Sequence, residues 1–93
     1  MILDVSDLES YSLDLEHGLV TFGTGFDGAQ LYYTLSPHGL SVAGGAAHTV
    51  GVGGLWLGGG RGPFSNIAGL ACDSIVGVEY VDASGELQVA LVP

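Results

Sequence analysis

The chain has no lysine and a single arginine, Arg61, against ten acidic residues, a formal charge of −9 over 93 residues. That excludes a binder of phosphate backbones, which needs a basic footprint, so no nucleic acid is expected as a partner. It also works against an anionic membrane surface. Without lysine there is no Walker A loop. One cysteine, Cys72, cannot form an internal disulfide, so no disulfide framework reinforces the fold. Charged residues make up only 12%, about half the usual ~25%. A long apolar run is missing as well. The longest uncharged stretch is residues 28–60, and its best window, Leu40–Gly60, holds eight glycines and His48. A spanning helix needs about 20 predominantly apolar residues, so no membrane span is expected. Met1 is followed by Ile-Leu-Asp with no basic n-region. No export signal is expected, and the compartment stays open.

What the chain does have is apolar surface. Apolar residues are 47%, glycines number seventeen, and the mean hydropathy is +0.49. Ninety-three residues make one domain or less. A body this small buries roughly 60–65% of its unfolded surface and is expected to be polar outside. The excess implies that part of its surface belongs against a cofactor, a further domain or a partner chain.

Residues 1–22 alternate like strands. Tyr11, Leu13 and Leu15 recur at period two, Glu16-His17-Gly18 reads as a turn, and Leu19–Phe22 returns. Ile2–Val5 reads as a further short strand. Half of the acids lie in the first sixteen residues and read as a solvated face. Asp27 is placed as the N-cap of a helix over residues 27–36, which Pro37 and Gly39 close. Leu40–Ala43 reads as a strand. Residues 63–73 read as an irregular connection with one helical turn. Ser74–Val81 is apolar on both faces, the pattern of a central strand. Asp82–Gly85 is a hairpin turn and Glu86–Leu91 its return.

Gly23-Thr24-Gly25-Phe26-Asp27-Gly28 matches G-x-G-x-x-G, but no acid follows until Asp73. A tight turn using glycine for space explains it better than a dinucleotide fingerprint. His17, His38 and His48 lack metal-ligand spacing, so no metal is expected. Cys72 reads as a buried, inert thiol, and there is no nucleophile elbow. The distinctive segment is residues 44–62, with nine glycines in nineteen residues and Val50, Val52, Leu55, Trp56 and Leu57 interleaved. A flexible linker does not carry apolar anchors at that density. Two readings fit: backbone that approaches a flat, negatively charged ligand, or glycines that let core segments cross.

The order His38-Gly39-Leu40, Gly44-Gly45, Val50-Gly51-Val52-Gly53-Gly54, Gly58-Gly59-Gly60, Gly69–Asp73 and Val78–Gly85 resembles FAD-linked oxidases. More narrowly, it is similar to the PCMH-type FAD-binding domain of the vanillyl-alcohol-oxidase superfamily, in its berberine-bridge-enzyme-like branch. The resemblance implies an α+β fold, an antiparallel sheet flanked by short helices, corresponding to the second of two FAD subdomains. It makes residues 1–93 a partial domain without the first subdomain and without the substrate domain. It implies FAD as cofactor, with Gly45, Ala46, Ala47 and His48 beside the flavin and its pyrophosphate. Gly51, Val52 and Gly58 would continue that wall. Asp73 falls at an acidic landmark, and Val81 near the adenine. Tethered relatives have a cysteine where this chain has Ala47, so the resemblance implies non-covalent FAD. It assigns no catalytic residue here. The implied function is the FAD-binding portion of an oxidoreductase that takes hydride from an alcohol, sugar or related small molecule, inactive alone. The alternatives are a cofactor-holding subunit that a partner chain completes, or a non-functional remnant.

Overall fold

Asp27 starts the helical part of the chain. Its Oδ1 accepts the Gln30 amide N–H at 2.9 Å, and Gln30 Oε1 accepts the Asp27 N–H at 2.9 Å. This reciprocal cap satisfies donors that a helix start leaves open. Helix α1 then spans Gly28–Leu35. Its Leu31 and Leu35 lie four residues apart on one face, and both are buried. Pro37 falls in a 3₁₀ turn over Ser36–His38, which Gly39 ends at φ 67°, a conformation that costs glycine little. This computed structural model describes all 93 residues.

Strands β1 (Tyr11–Asp14) and β2 (Leu19–Phe22) form the expected first hairpin, with Tyr11 opposite Phe22 and Leu13 opposite Val20. Those four side chains share a face. It leans on the core: Phe22 lies 6.3 Å from Phe26 and edge-on to Trp56 at 5.4 Å between ring centroids. The acids of the first sixteen residues are exposed, as a solvated surface requires.

The glycine-rich segment contains helix α2, Val52–Leu57, which the glycine count conceals. Its Val52 and Trp56 are spaced i, i+4 and enter the core beside Phe26, Leu31, Leu35 and Ala71. Helix α3 is one turn, Ser65–Ala68, followed by a 3₁₀ turn over Ala71–Ser74. The amides of Ala71 and Cys72 donate to the carbonyls of Gly60 and Gly59 at 2.8 and 2.9 Å, which seats that turn against the end of α2.

Strands β3 (Gly77–Val81) and β4 (Leu87–Leu91) make a second hairpin. The fold is thus α+β with two separate two-stranded antiparallel sheets. Three expectations need correction. Ile2–Val5 forms no strand, because no neighbour pairs with it; the amide of Leu8 instead turns back to the Val5 carbonyl at 2.9 Å. Leu40–Ala43 forms none either: Ala43 is buried by packing, and the Gly44 amide closes a tight turn on the Val42 carbonyl at 2.9 Å. And β3 is not central. It pairs with β4 alone, and all five of its residues are exposed.

Only 10 of 93 residues are buried. Val81, Leu87, Val89 and Leu91 share one face of the second hairpin and are each more than 60% exposed. An isolated two-stranded sheet is marginal in water, so polar contacts at the turn matter. Asp82 accepts from the Ser84 hydroxyl at 2.6 Å, the Glu86 amide at 3.0 Å and Gln88 Nε2 at 3.0 Å. The Ser84 hydroxyl, the Glu86 amide and the Gln88 side chain, in that order, hold its carboxyl down at about 2. A depressed carboxylate contributes stability above its unfolded value and loses it on acidification. The turn is therefore expected to loosen as pH falls from 3.8 through about 2. Amide shifts of Ser84 and Glu86 that stay flat across that window would show that Asp82 does not hold the turn.

Candidate functional site

The segment between α1 and α2 is built from the backbone outward. The first amides of α1 have all found acceptors: Gly28 N–H donates to the Val50 carbonyl at 3.1 Å, Ala29 N–H to His48 at 3.0 Å, and Gln30 N–H to Asp27 Oδ1. A helix start with no free N–H offers nothing to a phosphate. The preceding glycines are spoken for as well. A Cβ on Gly25 would lie 2.6 Å from the Val5 carbonyl oxygen, and one on Gly23 would overlap that of Leu8. Gly23–Gly28 is a close-packed turn under the N-terminal segment, as the sequence indicated.

The same bonds hold the loop of residues 44–51 in place. Asp27 and Gly51 form an isolated antiparallel bridge, and the Val52 amide donates to the Phe26 carbonyl at 2.9 Å. Near its start, Tyr32 Oη donates to the Gly45 carbonyl at 2.6 Å, and at its centre the His48 carbonyl accepts from the Ala29 amide. Burial pushes the Tyr32 phenol up, which keeps it a neutral donor. The loop is pinned at its start, centre and end, although it carries no regular structure of its own.

Glycines in this loop and in the stretch that follows it are of two kinds. A Cβ on Gly44 would lie 2.8 Å from Tyr32 Oη, one on Gly45 2.6 Å from Leu55 Cδ2, and one on Gly53 3.1 Å from Thr24 Cβ. One on Gly60 would lie 2.7 Å from the Ala71 Cβ. These are glycines the chain's own packing requires. Gly51 and Gly54 are different: a Cβ on either meets nothing within 4 Å. Gly51 has an ordinary φ of −64°. Gly54 sits inside a helix, where glycine costs about 1 kcal/mol relative to alanine. Nothing in this chain demands a bare backbone at either place.

The nine expected contact residues fall as follows. Gly45 is buried, while Ala46, Ala47, His48 and Gly51 form a continuous exposed strip. Val52 is only 2% exposed, so its side chain is a core anchor that cannot face a ligand. Gly58 is exposed at the end of α2, where its amide donates to the Gly54 carbonyl at 3.0 Å. Asp73 lies in the second 3₁₀ turn and accepts the Leu70 amide at 2.8 Å. Val81 lies exposed at the end of β3. The structure brings the strip from Gly45 to Gly51 together and leaves Asp73 and Val81 on other elements. Tyr32 and Leu55 support the strip but carry no sequence signal for it, since Tyr32 meets Gly45 across thirteen residues. No three His, Cys, Asp or Glu side chains gather in one place, and no helix is long and apolar enough to cross a membrane.

A family described as "FAD binding domain" matches residues 1–90. The chain belongs to that FAD-binding family. It is 36% identical over 87 residues to an uncharacterized FAD-linked oxidoreductase, YvdP, of Bacillus subtilis, covering 94% of this chain and 20% of that protein. It is 39% identical over 88 residues to berberine bridge enzyme-like 28 of Arabidopsis thaliana, covering 92% and 16%. Among solved structures, a variant of the berberine-bridge-enzyme-like protein 1 of Physcomitrella patens superposes with a TM-score of 0.89 at 32% identity. That match covers 92% of this chain and 19% of the other. The resemblance drawn from the glycine pattern therefore stands, in its berberine-bridge-enzyme-like branch as in its α+β fold. The chain spans a fifth or less of the length of these relatives.

Proposed function

We propose that residues 1–93 are the second FAD subdomain of a flavin-dependent oxidoreductase, and that the strip Gly45–Gly51 with the outer face of α2 forms one wall of its cofactor cleft. The observation that carries this is the pair Gly51 and Gly54, bare backbone with open space in front and no internal reason to be bare. A planar ring or a pyrophosphate from outside is what such a surface admits at van der Waals range. The residues present fit FAD. Ala46, Ala47 and Gly51 would approach it with main chain, and Val52 and Trp56 anchor the wall from behind. Gly58 would extend the wall, with His48, Asp73 and Val81 as further contacts at its margins. Ala47 has no sulfur, so FAD would be held here without a bond to the chain.

Bound flavin would supply hydride acceptance from an alcohol, sugar or related small molecule. The chain's own residues hold and orient. The rigid loop fixes the wall, and the alanines and glycines exclude side chains from it. No catalytic residue is assigned on this strip, and the chain alone would be inactive as an oxidase.

One further reading has support: a subunit whose cleft a partner chain completes. The exposed apolar face of the second hairpin favours a body that docks there. Mixing the 93-residue chain with a separately purified first FAD subdomain of a relative tests the assignment. Stable co-elution with flavin absorbance is expected. Denaturation should then release all of the flavin, and flavin left on this chain would contradict the role of Ala47. No flavin in the mixture would favour a non-functional remnant.

A further inference from the structure

Beside the loop, on the flank formed with α1, lies an open groove of about 350 Å³ lined by Ala29, Tyr32, Tyr33, Ser36 and His48. We propose that this groove binds small organic ammonium ions that carry an aromatic or apolar body. Its volume is at the lower end of the range of small-molecule sites, which combine an apolar lining with a few polar groups.

The walls are of the right chemistry. Tyr33 is 79% exposed, a large ring with no partner within the chain. Tyrosine faces attract cations through the ring quadrupole. Two oxygens on the lining can accept: the Ser36 hydroxyl has no partner within the chain, and Tyr32 Oη has spent its proton on the Gly45 carbonyl and keeps its lone pairs, while the neutral His48 ring offers one donor and one acceptor. No lysine or arginine lines the groove, and the chain carries −9 with one base in all. A net charge of that sign raises the concentration of cations near the surface. The groove is also held in shape without a ligand. Ala29 on one wall donates its amide to the His48 carbonyl on the other at 3.0 Å, and Tyr32 ties the helix to Gly45. Binding there needs little ordering of the protein.

This inference does not rest on flavin binding, and its test uses the 93-residue chain without flavin. Labelled protein is titrated with 2-phenylethylammonium and with 2-phenylethanol at low salt and pH 8, and shifts of Ala29, Tyr33, Ser36 and His48 are followed. The ammonium is expected to bind saturably, about tenfold tighter than the alcohol, with the gap narrowing as salt is raised. Tyr33→Leu, at an exposed position that the fold does not use, is expected to weaken the ammonium about three- to fivefold. His48→Ala checks the opposite wall and is expected to weaken both ligands. Equal binding of alcohol and ammonium overturns the proposal. So do shifts that saturate elsewhere, or an affinity that neither substitution changes.

Discussion

Gly62→Ala is expected to destabilise the 93-residue chain by about 3 kcal/mol or more, most of its stability. An added Cβ would fall on the Gly44 carbonyl oxygen, with the Gly44 and Gly45 carbonyl carbons at 2.9 and 3.2 Å. All three are main-chain atoms, and neither side is free to retreat. Gly62 N–H donates to Ser65 Oγ at 2.9 Å, and its carbonyl accepts the Ser65 amide at 3.1 Å. Gly45 is held by Tyr32 at 2.6 Å. Overpacking a well-filled site costs typically 1–3 kcal/mol even where side chains can adjust, and here only backbone can move. A loss of about 3 kcal/mol or more is expected. A chain of this length holds roughly 5–14 kcal/mol at best by the usual per-residue scale, and one with so few buried residues sits near the bottom of it. Urea unfolding followed by far-ultraviolet dichroism measures the effect. Gly54→Ala is the matched control: it adds the same methyl where nothing lies within 4 Å, and it is expected to raise stability by up to about 1 kcal/mol. Equal midpoints for the two variants would show that residues 44 and 62 do not pack as described.

That contrast also measures how far composition can be read. Local signals were legible because they act over three or four residues. Asp27 caps α1, Leu31 and Leu35 repeat at four, and Gly85 turns the second hairpin at φ 85°, whereas the reciprocal bond to Gln30 emerged only in the structure. The glycine-rich segment was legible as a landmark but not as a structure. Val52 and Trp56 carry the helical spacing of α2, yet glycine's low helix propensity masks it. Which glycines serve packing depends on partners far along the chain: Gly44 on Tyr32 and Gly62, Gly53 on Thr24, Gly60 on Ala71. No window of sequence contains those pairs. The expectation that Ser74–Val81 would be central failed for another reason. An apolar pattern on both faces fits a covered strand, but here β3 pairs with β4 alone and no element of the chain packs on either face of it. Of the proposed wall, Gly45 to Gly51 came together because it is contiguous, and the inward turn of Val52 followed from its place opposite Phe26.

Gly51→Val is expected to leave the chain folded while reducing flavin retention at least tenfold, about 1.4 kcal/mol. The backbone at Gly51 has φ −64° and ψ 134°, which valine adopts without strain. Its side chain would enter open space, so the unfolding midpoint should stay within about 0.5 kcal/mol of the parent, as for an ordinary surface change. The same methyl groups would stand where a ring or pyrophosphate must come to touch the main chain. Gly45→Val is not an equivalent probe. Its Cβ would meet Leu55 Cδ2 at 2.6 Å, so it is expected to lower stability and flavin retention together, and only Gly51 separates the two. Leu15→Ala, at an exposed position in the turn of the first hairpin, serves as the variant remote from both the loop and the second hairpin. Flavin absorbance of the assembly with a first FAD subdomain, read at equal folded protein, makes the comparison. Retention by Gly51→Val equal to that of Leu15→Ala would mean that the bare strip touches no cofactor, and the assignment of this wall would fall, although membership of the family would not.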